Sequence, residues 1–226
     1  MNPLTQLALA CGAFLVTHVV SNTPLRAELV RAAGERAYLA LYSAAAFATL
    51  GWMMFAYNRA PYEGLWHAPG LRYVPLAVMP FALILVVCGL LARNPTIVGQ
   101  ERLLEAGDPA RGILRVTRHP MMWGVALWAA AHLLARGDAA ATLFFGTFLL
   151  LALGGTALSD RRKARALGEP WQRFARVTSH VPFAAIAAGR NAFRPGEIGW
   201  GKPGLGIALY VAFIFLHPVI FGARPY

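Results

Sequence analysis

Charge is scarce in this chain of 226 residues and lopsided where it occurs. Asp, Glu, Lys and Arg make up 14% of it, with 10 acidic residues against 21 basic ones. Only 2 cysteines are present, Cys11 and Cys88, and both fall inside apolar stretches. That excludes a disulfide framework and a paired CxxC zinc site, and leaves two small buried residues. The HExxH pair of zinc proteases is missing, and no glycine-rich phosphate loop follows a strand-like run. The apolar stretches do not alternate with polar residues, which excludes the strands of a membrane barrel.

What the chain has in abundance is apolar length. Hydrophobic residues make up 58%, and the mean hydropathy is +0.51. Six windows carry no charge: Met1–Leu25, Ala37–Asn58, Tyr73–Ala92, His119–Ala135, Ala139–Ser159 and Pro203–Ala223. Each is close to the ~20 residues an α-helix needs to cross a hydrocarbon core of ~30 Å. The reading is an all-α, polytopic transmembrane bundle of six spans with short interfacial helices, forming one domain over residues 1–226. The first window has no basic residue ahead of its apolar run and no small-x-small cleavage site, so it reads as a retained helix.

The net charge of +11 does not call for nucleic acid. Six crossings put Arg59, Arg72, Arg136 and Arg224 on one side and every other Lys and Arg on the other. By the positive-inside rule both termini face the periplasm of a bacterial inner membrane. The basic loops then lie against anionic lipid headgroups, and the expected partner is the bilayer.

Local signals divide the windows. Ser21-Asn22-Thr23-Pro24 breaks the first span. Pro75 and Pro80 predict a kink in the third. Pro120 suits the first position of the fourth, where its missing N–H has no intrahelical partner. The short link Arg136-Gly137-Asp138 forces an antiparallel hairpin. The fifth span runs on through the charged stretch 160–166 until Gly168-Glu169-Pro170 stops it. Trp171, Phe174 and Val177 then form the apolar face of an interfacial helix.

Two histidines sit near the same end of their spans. Running in opposite directions, the first and fourth spans put His18 and His119 at nearly matched depth, about 3–6 Å from the cytoplasmic surface for His18. Neutral imidazole is a common metal ligand and an axial haem ligand, so the pair is compatible with one shared iron. The same placement also fits two histidines that cap their helices or bond nearby backbone. His132 lies about 140° round its helix from His119 and reads as a core hydrogen-bonding residue. His67, His180 and His217 read as structural or surface groups.

The order of features resembles the NnrU family. The residues that carry the likeness are Phe14-Leu15-Val16-Thr17-His18, Gly34-Glu35-Arg36, Leu41-Tyr42-Ser43, Asn94-Pro95-Thr96, the run from Gly112 to Pro120, Leu127-Trp128, His132-Leu133, Asp160-Arg161-Arg162-Lys163, Gly168, Trp171, Pro182-Phe183 and His217-Pro218. The resemblance covers almost the whole chain, and Thr117-Arg118-His119-Pro120 in its setting is its most specific element. It implies links to nitrite and nitric oxide reduction, and to the membrane isomerase of 15-cis-zeta-carotene, which uses haem b. It further implies that His18 and His119 are the iron ligands. Arg118, Arg115 and Arg26 stand at the membrane level where guanidinium groups could pair the haem propionates. An open iron would take a small apolar or gaseous ligand.

Two alternatives follow from the same residues. Arg118-His119-Pro120 at a helix start also resembles membrane methyltransferases that use S-adenosylmethionine, although those carry paired glutamates where this chain has Ser159-Asp160. The chain could also be a non-catalytic assembly factor with a respiratory membrane protein as partner.

Overall fold

The computed structural model describes residues 1–105 and 107–225. It is helical, and the only bridge between extended residues among those described joins Gly64 to Asp138. Helix α1 covers Pro3–Val20, and its first turn is capped by the Asn2 side chain, which accepts from the Leu4 N–H at 2.9 Å. Leu7, Ala10, Cys11 and Phe14 form its buried stripe at helical spacing. A short α2 (Leu25–Ala33) buries nothing and leads into α3 (Glu35–Arg59). Helix α4 (Val74–Leu91) contains Pro80. A loop-rich connector then runs to α5 (Pro120–Arg136).

The turn after α5 explains the hairpin. Gly137 takes a left-handed conformation, and the buried Asp138 carboxylate accepts from the Ala141 N–H at 2.8 Å, capping α6 (Ala139–Leu150). One π turn, Leu151–Gly155, joins α6 to α7 (Thr156–Leu167), so the fifth span is a single rod over Ala139–Leu167. Its last turns carry the charged stretch, as expected. Gly168, at φ +58°, ends it and starts α8 (Glu169–Val177). After a four-residue α9 (Ala184–Ala187), the closing span is α10 (Gly201–Phe221).

Among the described residues, five helices are long and apolar enough to cross a membrane. The sixth expected span, α5, has 17 residues. It begins after His119 rather than on it, and it lies within the lower range for a span. Exposed Leu41, Phe47, Phe81, Phe215 and Val219 give the bundle the apolar outer surface expected in lipid. Helix α8 differs in detail from the sequence reading. Trp171 and Phe174 are buried against the connector, but Val177 is exposed and ends the helix.

Two packing centres hold the spans. One joins Leu7, Cys11 and Phe14 of α1 to Met53 of α3, Ala129 of α5 and Phe144 and Phe145 of α6. The other, at the basic end, packs α8 and the connector under Cys88. Helix α4 lies directly on α5, where Gly124 meets its backbone. A Cβ at Gly124 would come 2.5 Å from the Ala82 carbonyl oxygen. Small residues are what let membrane helices approach this closely.

Candidate functional site

At the basic end, the turn before α5 delivers Arg118 and His119 to α7. The Asp160 carboxylate accepts from His119 Nε2–H at 2.7 Å and lies 3.0 Å from Arg118 Nε. The Arg118 contact is an ion pair whose angle falls short of a hydrogen bond, which leaves that buried N–H unmatched. Burial holds the Arg118 guanidinium below its ordinary pKa, against the pull of Asp160 in the other direction.

His180, read from the sequence as a surface or structural group, belongs to this same cluster. Its Nε2 is 2.6 Å from the Thr156 hydroxyl, and its ring centroid is 5.4 Å from that of His119. Its carbonyl accepts from the Thr117 hydroxyl and the Trp123 indole, both at 2.7 Å. Burial lowers the His180 pKa, and the neighbouring His119 adds to the effect. One turn further along α7, the buried Lys163 donates to Glu101 at 2.7 Å and to the Pro95 carbonyl at 3.1 Å. Thr156, Asp160 and Lys163 recur at helical spacing, the one signal in the sequence that marks this face of α7.

His18 occupies a different setting. Its Nδ1–H donates to the Phe14 carbonyl at 2.7 Å, one turn back on α1. Its ring packs on Phe14 at 4.2 Å and edge-on to Tyr42 at 5.9 Å. Nε2 makes no hydrogen bond among the described residues. The imidazole lines an open groove of about 210 Å³ with Leu15, Val19, Asn22, Leu150, Leu151, Gly154, Gly155 and Leu158.

The two histidines expected to share one iron have different neighbours: His18 lines a groove with Leu158, and His119 is bonded to Asp160. Leu158, which faces His18, lies about 180° round α7 from the mean direction of Thr156 and Asp160, which face the His119 cluster. Two imidazoles on one iron need their nitrogens only about 4 Å apart, twice a metal–imidazole bond of about 2 Å. Matched depth gave the position along the membrane normal but not the direction round the helix.

The arginines divide the same way. Arg118 is held by Asp160 on the His119 side. Arg115 is buried, with Glu197 at 2.7 Å, Asp108 at 2.7 Å and Asn191 at 2.7 Å taking its donors, so it serves as the post of a polar cluster. Arg26 alone lies on the His18 side, 5.4 Å over the Tyr38 ring and 3.5 Å from Glu35. His132 donates to the Trp128 carbonyl at 2.8 Å and stacks on Phe145, the core role expected of it. His217 donates to the Ala223 carbonyl at 2.7 Å.

Among the described residues, no group of three or more His, Cys, Asp or Glu side chains could hold a metal ion. A haem needs less protein ligation, because the porphyrin supplies four nitrogens, and His18 fits it. Its Nδ1–H is fixed by a carbonyl, which leaves Nε2 without a hydrogen bond among the described residues in a ring that lines an apolar groove, as a ligating histidine needs. His119 fits poorly, since an Nε2 that donates to Asp160 has no lone pair for iron.

The family described as NnrU protein matches residues 6–225. The chain belongs to the NnrU family. NnrU-family kinship extends to curated proteins. The chain is 37% identical over 115 residues to a protein named 15-cis-zeta-carotene isomerase, chloroplastic, of Arabidopsis thaliana, covering 50% of this chain and 31% of that protein. It is 39% identical over 80 residues to the protein of the same name from Zea mays, covering 35% of this chain and 22% of that protein. These matches span less than a third of either relative's length. No solved structure matches.

The Arg115 cluster carries a testable pH dependence. The Arg115 guanidinium and the Gly112 N–H hold the Glu197 carboxyl down from 4.5 to about 2. A carboxyl depressed on folding stabilises the folded state above its unfolded value, and that contribution is lost as pH falls through the folded one. Thermal melting in detergent should weaken between pH 4.5 and about 2, and Glu197→Gln should flatten that part of the profile. An unchanged slope in the variant would remove Glu197 from the account.

Proposed function

We propose that this NnrU-family chain is a membrane-embedded, haem b-assisted isomerase of a conjugated double bond. Its substrate would be an apolar polyene that enters from the bilayer. The kinship with proteins named as carotene isomerases supports an isomerase-type role in a membrane. The single observation that carries the haem part is the His18 groove, where a bare imidazole nitrogen meets apolar walls opening toward the exposed Val19 and Leu150.

Each residue then has a role. The Phe14 carbonyl orients His18, whose Nε2 would hold the iron. Leu15, Leu151 and Leu158 exclude water and would hold a flat hydrocarbon face. Gly154 and Gly155 leave room where side chains would fill the groove. Held there, haem would supply an iron able to coordinate a double bond, and isomerisation about that bond needs no net oxidant. In this reading the excess of Lys and Arg at the basic end would face the cytoplasm of a bacterial inner membrane. A tie to nitrite or nitric oxide reduction would make a diatomic gas the ligand instead, and the spectrum under nitric oxide would read it.

The test reconstitutes the purified protein with haem b in vesicles loaded with a cis polyene. A Soret band and chromatographic conversion to the trans isomer are expected, and both should disappear in His18→Ala. Conversion that survives His18→Ala would reject this reading.

A further inference from the structure

Few cations stand at the end of the bundle where α5 turns into α6. Of the 21 Lys and Arg, only Arg59, Arg72 and Arg136 flank that turn and the α3–α4 loop. Two of these three, Arg72 and Arg136, line one cleft of about 220 Å³ with Trp66, His67, Pro69 and Leu134. Pockets for drug-sized ligands begin at roughly 300 Å³, so the cleft suits a smaller group. Its walls are fixed before anything binds. The Gly137 carbonyl accepts from the Leu65 and Trp66 N–H groups at 2.8 and 3.1 Å, and the Ala139 N–H donates to the Glu63 carbonyl at 2.8 Å. The Trp66 indole donates to the Leu134 carbonyl at 3.2 Å. The cations are held in place too. Arg72 lies over the Tyr73 ring at 4.6 Å and donates to its hydroxyl. Arg136 Nε is tied to Asp138 at 3.2 Å, while its two terminal nitrogens have no partner among the described residues. Asp138 is buried and also caps α6, and neither it nor Glu63 lines the cleft.

Two guanidinium groups and an imidazole, brought from separate segments, exceed what the two oxygens of a planar carboxylate use. A phosphate offers a tetrahedral set of acceptors to such donors. The cleft stands among the exposed side chains of Tyr62, Leu65, Trp66 and Tyr73 and beside the exposed Leu134. Exposed aromatic side chains at the ends of spans mark the headgroup level of a bilayer. We propose that this cleft holds the phosphate of a phospholipid headgroup, with Arg72 and Arg136 on its oxygens and the lipid's apolar part against Leu134. The site shares no residue with the His18 groove, so it stands or falls apart from the haem reading.

The test titrates delipidated protein in maltoside micelles with short-chain phosphatidylglycerol, with the matching diacylglycerol and with inorganic phosphate, followed by calorimetry. Basic groups elsewhere contribute equally to wild type and variants, so the difference between them reads the cleft. The wild-type protein should show a saturable site for phosphatidylglycerol that weakens about tenfold in Arg72→Gln and in Arg136→Gln, the effect of losing one charge-assisted hydrogen bond. Diacylglycerol should leave the site empty, and inorganic phosphate should bind there about tenfold more weakly than the lipid. Arg136 is tied to the cap of α6, so if Arg136→Gln melts early, Arg72→Gln decides. Arg72 bonds only its neighbour Tyr73 among the described residues, and its loss leaves the packing intact. Phosphatidylglycerol affinity unchanged in Arg72→Gln overturns the site. Diacylglycerol that binds as tightly as the phospholipid overturns the phosphate assignment. Inorganic phosphate that binds as tightly as the phospholipid overturns the lipid as its source.

Discussion

His18→Ala is expected to abolish the haem absorbance band, and His119→Ala to keep it. The two histidines looked equivalent from the sequence, so the contrast is the largest effect the structure forecasts. Removing a group that merely supports a ligand costs roughly 10–100-fold in affinity, and removing the ligand itself costs more. His18 has the bare nitrogen and the apolar walls. His119 has its nitrogen bonded to Asp160. Its loss would instead cost about 1–3 kcal/mol of stability, the value of a hydrogen bond to a charged group in a buried cluster. Titration of both variants with haem b checks this. Parallel loss of the band would restore the two-ligand arrangement.

The second large effect is structural. Gly124→Leu should destabilise the bundle by about 3 kcal/mol, the upper end for overpacking a well-filled core. The added side chain begins 2.5 Å from the Ala82 carbonyl oxygen and 3.0 Å from the Val86 nitrogen. Both are backbone atoms of α4, so no rotamer change relieves the clash. Helix α5 must move, and with it the turn that presents His119 to Asp160. The thermal midpoint in detergent should fall by several degrees. Gly12→Leu should leave it near the wild-type value, because nothing lies within 4 Å of a Cβ there. A Gly124→Leu midpoint equal to wild type would contradict the close approach of α4 and α5.

Much of the architecture was legible because hydrophobic length is local. The spans, the stop at Gly168 and the tight hairpin at Gly137-Asp138 all follow from residues a few positions apart. Even the buried stripe of α1, Leu7, Cys11 and Phe14, recurs at helical spacing. The site was less legible because it depends on rotation between helices distant in sequence. Asp160 meets His119 across 41 residues, and no short motif encodes that. The π turn Leu151–Gly155 changes the register of α7 relative to α6. No propensity in Leu-Ala-Leu-Gly-Gly announces it. His180 was undervalued because its role comes from a loop folded back on the start of α5, where Phe183 N–H meets the Val116 carbonyl at 2.8 Å.

The central claim is that one histidine, His18, holds the iron. The spin state of ferric haem in the wild-type protein reads the number of strong axial ligands directly by electron paramagnetic resonance. The account predicts a high-spin signal, as from one imidazole and an open or weakly filled sixth position. A low-spin bis-imidazole signal that becomes high-spin in His119→Ala would contradict it.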